Sequence, residues 1–377
     1  MKVAPQTCRG LTSPPGESLR FFCAAVMALN GSNAMDEYAL KVLLEKARHS
    51  IRDKARATEI RQNRGVEPGR FILFHAAMSF CSQKVRATLA QKGITFESNE
   101  MLILGSRDPA TGALTPAENF APDYVRLRLR GGSELGLRLV EDYSGLSSVS
   151  TIGLDACAVP TLVDVKEGKV IVDSIRICMH IDQAVPGSSP LVPADATKLL
   201  MMQRQLHAVD VTPHPALLYG FHPEDDARPE LLKQAMVPVY DDKVEALERL
   251  VAENRDDADL LRAYEAKIAK EKGGKAVRHD AQFQHAVRGR ARETLLRLAQ
   301  DLEASRTAWL CGPEITLADL FWAVSLVRLT YLGLDTLWRD LPSVRNYYLE
   351  LVRLPAIKQE VIRATIESMP ASSHLAM

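Results

Sequence analysis

The sequence predicts an α/β domain followed by an all-helical domain. Three observations support this fold class. Short apolar runs alternate with helical patterns between residues 71 and 184. From Asp195 onwards we find only helical patterns. The chain of 377 residues is long enough for two domains of ordinary size.

The composition excludes several classes of protein. Lys+Arg and Asp+Glu are both 47, so the formal net charge is zero, and no long basic block is present. We therefore expect neither a nucleic-acid partner nor a membrane partner. The six cysteines show no C-x-x-C pair and no zinc spacing, which indicates no metal and a reducing, cytoplasmic location.

Residues 1–69 are predicted to form an N-terminal extension that is partly disordered. Within it, apolar residues recur at helical spacing among charged residues, which predicts an accessory helix over about 36–61. The segment 65–69 contains Pro68 between glycines and is typical of a linker.

The α/β domain is predicted over 70–185 and opens with a βαβ unit. Its first strand is the apolar run 71–75, its helix covers 79–93 and ends at a glycine, and its second strand covers 95–104. A strand, helix and strand of these lengths form a right-handed unit.

A ββα unit closes this domain. A strand over 159–164, a turn at 166–169 and a strand at 170–172 form a hairpin, and a helix follows from Ser174 to about Ala184. Between the two units, residues 105–158 are longer than an ordinary connection. We interpret this insert as either a functional loop or a surface insertion.

The helical domain is predicted over 191–370, after a linker at 186–190. Its most specific signal is a capping box of Thr316 and Asp319 at a helix start. The helix that follows, from Phe321 to Val327, is apolar almost all round, which predicts that it is buried.

Cys81 is the best candidate for a reactive group. It lies at the start of a helix, where unpaired backbone N–H groups favour a thiolate, and Ser79 and Ser82 flank it. The alternative is an ordinary buried cysteine with Ser79 as a helix N-cap.

Two further segments could bind a peptide-like ligand. Pro160 opens a strand, and a cis Val159–Pro160 bond would turn the backbone of Val159 outward for pairing, whereas a trans proline would merely begin the strand. Asp173 and Ser174 lie at a helix N-terminus, which either binds a carboxylate or is simply capped.

Taken in order, these segments resemble the glutathione S-transferase superfamily, in which a thioredoxin-like domain precedes a helical domain. The resemblance covers about residues 70–365. It implies glutathione as co-substrate and a homodimer as partner state. The matching segments are Ser79-Phe80-Cys81-Ser82, Val159-Pro160, Asp173-Ser174 and Thr316-Leu317-Ala318-Asp319. The glutathione-binding residues it implies are Val159, Pro160, Asp173, Ser174 and Ser82.

A narrower resemblance is to the reductive dechlorinases of chlorinated hydroquinones within this superfamily. It rests on the segments 70–75, 79–86, 124–130 and 317–324. It implies that glutathione displaces chloride from a halogenated aromatic substrate and that Cys81 then removes the glutathionyl group. In that mechanism Ser79 supports a thiolate or a ring oxyanion.

Two other functions remain open. A zeta-like isomerase of the maleylacetoacetate type would use glutathione without consuming it, with Arg86 and Arg176 binding substrate carboxylates. A non-catalytic binding protein with the same fold would keep Cys81 as a structural residue.

Overall fold

The computed structural model describes residues 34–56, 59–61, 69–185, 190–222 and 224–375. The first 33 residues of the predicted extension, most of its predicted linker, and residues 186–189 of the second linker lie outside these ranges. Within them, no helix is both long enough and apolar enough to cross a membrane.

Within the described residues, the sheet of the α/β domain has five strands, β1 Glu59–Arg61, β2 Phe71–His75, β3 Phe96–Glu100, β6 Thr161–Asp164 and β7 Lys169–Val172, and a separate hairpin holds β4 Ser106–Arg107 and β5 Leu114–Thr115. The order in the sheet is β1-β3-β2-β6-β7. Strands β2 and β3 are parallel, and the other neighbouring pairs are antiparallel. The predicted βαβ and ββα units are therefore present in the predicted order.

Strand β2 is buried on both faces because helices cover the sheet from both sides. Side chains alternate along a strand, so Phe71 and Leu73 join one core, and Ile72 and Phe74 join the other. The helices of this half are α1 Ala34–Arg48, α2 Phe80–Gln91, α3 Pro122–Ser133, α4 Val149–Ile152 and α5 Ser174–Ala184. The first core is shared with the helical domain, and the second lies under α1 and α3.

The N-terminal helix is shorter than the sequence indicates. It ends at Arg48 rather than near residue 61, and Glu59–Arg61 instead forms an edge strand that pairs with β3. The apolar positions that pack this helix stop at Ile51, and the Asp53 carboxylate accepts the Ala55 amide in the turn that follows. Beyond this point no apolar face of the described residues up to β1 packs on the core, so the tertiary contacts that stabilise a helix are missing and the helix ends.

The long segment 105–158 is only partly an insertion. It carries the β4–β5 hairpin, but it also contains α3, which packs on the sheet and supplies Tyr124 and Leu127 to the second core. The sequence pattern predicts a loop or insertion here and not a helix, because Gly131 and Gly132 are typical loop residues. Both glycines lie where the helix approaches other chain segments closely.

From Ala196 to Ser368 the regular elements are helices, as predicted. The predicted capping box begins α12, whose side chains are almost all buried. The helices are α6 Ala196–Asp210, α7 His214–Tyr219, α8 Glu230–Met236, α9 Val239–Glu253, α10 Ala258–Val277, α11 Ala281–Ser305, α12 Leu317–Tyr331, α13 Pro342–Leu351, α14 Pro355–Ile357 and α15 Ala364–Ser368. A π-helical segment, Lys358–Arg363, joins the last two.

Candidate active site

A cavity lies between the α/β half and the helical half. Its wall includes six of the seven residues that the sequence predicts for the site, namely Ser79, Cys81, Val159, Pro160, Asp173 and Ser174. The helical half contributes His214, Tyr219 and Arg328, among others. Residues that are far apart in the sequence thus share one ligand-sized space.

Cys81 is the second residue of α2 and is partly buried. The Ser82 amide donates to Ser79 Oγ at 3.3 Å, so Ser79 is the N-cap of this helix while it also lines the cavity. Cys81 Sγ lies 3.5 Å from Ser147 Oγ. The hydroxyl beside the sulfur is therefore that of Ser147.

Ser82 is placed differently from the other predicted site residues. It is fully buried, and its Oγ accepts a hydrogen bond from the Ala76 amide at 3.3 Å. It is not part of the cavity wall. Its position supports a role in holding the turn before α2 and gives no support to direct contact with glutathione.

Two buried cations act on Cys81. Lys84 Nζ lies 2.9 Å from Asp210 Oδ1. Burial alone would lower the pKa of Lys84, but Asp210 and the Cys81 sulfur raise it overall. Burial lowers the pKa of Arg328 to about 10, so its guanidinium, which also interacts with Cys81, stays charged at neutral pH. Cys81 therefore has two positively charged side chains in its electrostatic surroundings.

Side chains of α3 hydrogen-bond to the turn before β6. The Val159–Pro160 peptide bond is cis, and both residues line the cavity. The Tyr124 hydroxyl donates to the Ala158 carbonyl at 2.6 Å, and the Arg128 guanidinium donates to the Pro160 carbonyl at 2.6 Å. These bonds fix the backbone that faces the cavity.

Asp173 caps α5 with one carboxylate oxygen and accepts a hydrogen bond from the segment around Ser150 with the other. Its Oδ1 accepts the amides of Ile175 and Arg176 at 3.0 and 3.3 Å. Its Oδ2 accepts the Ser150 amide at 3.1 Å. Asp173 therefore caps α5 and also lines the cavity, so the interpretation that this helix start binds a ligand stays a prediction.

The other described cysteines are poor nucleophiles. Burial raises the pKa of Cys178 to about 12 and that of Cys311 to about 11. Burial also raises the pKa of Cys157, which lines the cavity. Among the four described cysteines, only Cys81 is partly accessible.

Neither arginine of the isomerase hypothesis reaches the cavity. Arg86 is buried and pairs with Glu360 at 2.7 Å, and Arg176 does not line the wall. Within the described ranges, one group of three residues has metal-ligand geometry, Asp164, Glu167 and His180. Asp164 already pairs with Arg70 at 2.9 Å, so its charge has a partner without a metal ion.

Sequence reasoning missed Ser147, Ser148 and Arg328. Ser148 Oγ donates to Asp210 Oδ2 at 2.5 Å, which joins the loop to the cation pair beside Cys81. Ser147 and Ser148 lie in a short segment with Ser144 and Gly145 that is typical of any loop. Nothing in that pattern distinguishes it from a solvent-exposed turn.

The fold and the cavity define a class of protein that comparison with known families confirms. The model of the glutathione S-transferase N-terminal domain matches residues 78–184, and that of the C-terminal domain matches residues 244–350. The chain belongs to the glutathione S-transferase family.

Particular relatives narrow the comparison. The chain is 41% identical over 315 residues to 2,5-dichlorohydroquinone reductive dechlorinase from Sphingobium indicum, covering 82% of this chain and 87% of the relative. It is 23% identical to human ganglioside-induced differentiation-associated protein 1-like 1, covering 76% and 72%. Among solved structures, the beta-etherase LigF from Sphingobium sp. strain SYK-6 matches with a TM-score of 0.51 and 18% identity, covering 77% of this chain and 98% of that chain, which shows the shared fold.

Proposed function

We propose that this protein is an enzyme that catalyses glutathione-dependent reductive dechlorination of chlorinated hydroquinones such as 2,5-dichlorohydroquinone. The observation that carries the proposal is the place of Cys81 in one cavity with Val159, Asp173 and Ser174. Similarity to a curated dechlorinase over most of both chains supports the choice of substrate class. Because such a thiol is useful only when reduced, we also propose that the enzyme works in the cytoplasm.

The proposed reaction has three balanced steps. First, the thiolate of one glutathione forms a C–S bond with the chlorinated ring, and chloride leaves. Second, the Cys81 thiolate attacks the sulfur of this adduct, so the ring carbon keeps the electron pair, takes up a proton, and leaves as the reduced hydroquinone. Third, a second glutathione thiolate attacks the Cys81 mixed disulfide, releasing glutathione disulfide and the Cys81 thiolate.

The residues around the sulfur have separate roles in this scheme. Lys84 and Arg328 place positive charge near the Cys81 sulfur, and the hydroxyls of Ser147 and Ser79 are available to a sulfur or ring anion. The turn at Val159–Pro160 and the start of α5 at Asp173–Ser174 are proposed to hold the first glutathione.

The test is a comparison of Cys81→Ser with the wild-type protein. With 2,5-dichlorohydroquinone and glutathione, the wild type is expected to release chloride, reduced product and glutathione disulfide. Cys81→Ser is expected to release chloride but accumulate the glutathionyl adduct, because the second step needs the thiolate. Mass spectrometry of the wild-type protein during turnover should find glutathione on Cys81. Cys311→Ala, a buried cysteine outside the cavity, is the matched control and should behave as the wild type.

Three results would contradict the proposal. Fully reduced product formed at the normal rate by Cys81→Ser would remove Cys81 from the chemistry. Conversion of a diacid such as maleylacetoacetate without loss of glutathione, and no chloride release, would favour the isomerase. Absence of both activities, with no glutathione adduct on Cys81, would favour the non-catalytic binding protein.

A further inference from the structure

A second polar cluster lies in the wall of the same cavity, on helices of the helical half. Lys243 is on α9, and Lys267, Lys270 and Glu271 are on α10, while Asp155 comes from the loop before β6. We call these five residues the lysine cluster. Each lysine is less than one-tenth exposed.

The cluster is held together by short ion pairs. Lys267 Nζ lies 2.7 Å from Asp155 and 2.8 Å from Glu271. Lys270 Nζ lies 2.9 Å from Asp155, and Lys243 Nζ lies 3.1 Å from Glu271. Lys267 thus pairs with both carboxylates, whereas Lys243 and Lys270 pair with one each.

The charges in this cluster do not balance. Burial alone would raise the pKa of Glu271, but the neighbouring lysines hold it at about 2. They hold the pKa of Asp155 well below its ordinary value in the same way. Both carboxylates are therefore ionised at neutral pH, and three ammonium groups face two carboxylates.

Arg128 adds to this excess of positive charge. Arg128 also lines the cavity, and its guanidinium donates to the carbonyls of Asp155 and Pro160 and to the hydroxyl of Thr161, which carry no charge. A buried positive charge without an anion is costly in free energy. The excess positive charge in the cavity wall therefore favours binding of a negatively charged ligand.

Aromatic side chains lie beside Lys243 in this cluster. Lys243 Nζ lies 4.5 Å from the centre of the Tyr219 ring and 5.7 Å from that of the Tyr240 ring. The hydroxyls of Tyr240 and Tyr143 are 3.3 Å apart, and all three tyrosines line the cavity. Aromatic faces beside ammonium groups suit a flat ring that carries an ionised oxygen.

We propose that the lysine cluster binds the phenolate oxygen of the aromatic substrate. The enzyme would then bind the hydroquinone in its anionic form. The proposal rests on the proposed function and assigns the ring end of the substrate to α9 and α10. Cys81 and the residues proposed for glutathione lie on the α/β half, so the two substrates would approach from opposite walls. A carboxylate of glutathione has similar chemistry, and the test separates the two sources.

The variants are Lys243→Met and Lys270→Met. Each removes an ammonium group whose carboxylate partner keeps Lys267, so neither leaves an unpaired buried carboxylate. Lys272→Met is the matched control, since Lys272 is on α10 but is 57% exposed and outside the cavity. Lys243→Arg keeps the charge and should retain most of the binding.

The direct probe is 4-nitrophenol, whose absorbance reports ionisation of the bound phenol. We expect the wild type to bind the phenolate, and each Met variant to weaken its binding by about tenfold or more. The KM for 2,5-dichlorohydroquinone should rise by a similar factor. The Kd for glutathione should change by less than about twofold, because a group that does not touch glutathione makes no difference to its binding. Thermal unfolding of each variant confirms that it is folded, and if one variant is unfolded the other decides the result.

Specific outcomes would overturn the proposal. If the Met variants weaken glutathione rather than 4-nitrophenolate, the cluster binds a glutathione carboxylate. If neither ligand is affected, the cluster only stabilises the fold. Normal phenolate binding by the variants, with chloride release by the wild type, refutes this inference alone. Lysine-dependent phenolate binding without chloride release refutes the proposed function alone.

Discussion

Replacement of Arg128 by methionine tests how α3 supports the turn at Val159–Pro160. Arg128 is buried and donates to the carbonyls of Asp155 and Pro160, both at 2.6 Å, and to Thr161 Oγ1 at 3.1 Å. A hydrogen bond from a charged donor contributes roughly 1.5–3 kcal/mol, and a buried carbonyl left without a donor costs about as much. We therefore expect the free energy of unfolding to fall by about 3–5 kcal/mol.

The same change should weaken glutathione binding. The turn lines the cavity, and without Arg128 its backbone keeps the hydrogen bond from Tyr124 to the Ala158 carbonyl. We expect the KM for glutathione to rise by about tenfold, because small displacements of a binding backbone carry large costs. Urea unfolding and steady-state kinetics at varied glutathione measure the two effects.

Two control variants separate the loss of the Arg128 hydrogen bonds to the turn from general effects on α3. Arg126→Met alters the same helix, but its ion pair with Asp257 is at the surface, so its expected cost is at most about 1 kcal/mol. Tyr124→Phe removes one hydrogen bond to the turn and should cost about 1–3 kcal/mol. If Arg128→Met unfolds within about 1 kcal/mol of the wild type and binds glutathione normally, the argument that α3 supports the turn is wrong.

Three further predictions concern stability. Asp319→Ala should lower the free energy of unfolding by about 3 kcal/mol or more in urea denaturation, because the carboxylate accepts four hydrogen bonds inside the core. Gly131→Ala should cost about 1–3 kcal/mol, since a Cβ there would lie 2.9 Å from the Val170 carbonyl oxygen, whereas Gly289→Ala has open space on a helix and should stabilise by up to about 1 kcal/mol. The pKa of Glu271 is lowered from 4.5 to about 2, so its contribution is complete above pH 4.5 and is lost as the pH falls towards 2. The loss should be on the order of 3 kcal/mol. Glu271→Gln should show a flatter decline of stability with acid, and equal declines in the two proteins would contradict the assignment.

Local patterns in the sequence were enough to predict the order of elements and several of the residues that line the cavity. The alternating apolar runs indicated the sheet, the capping box of Thr316 and Asp319 is present, and Ser79 caps the helix that carries Cys81. These features depend on residues within about one helical turn of each other, or on the period of a strand. Sequence spacing records them directly.

Helix α3 and strand β1 could not be predicted in the same way. Gly131 and Gly132 resemble loop residues until the close approach of β7 and Leu154 is known. Residues 59–61 form a strand because β3 offers a free edge. In both segments, contacts with a distant part of the chain outweigh local preference.

The chemistry around Cys81 and the lysine cluster depends on such distant contacts. Cys81 and Ser147 are 66 positions apart, Lys84 and Asp210 are 126 apart, and Lys267 and Asp155 are 112 apart. A sequence pattern shows that a cysteine begins a helix, but not which hydroxyl or cation the fold brings to its sulfur. Burial then strengthens the electrostatic interactions between these charged groups, because water screens them less than it would at the surface.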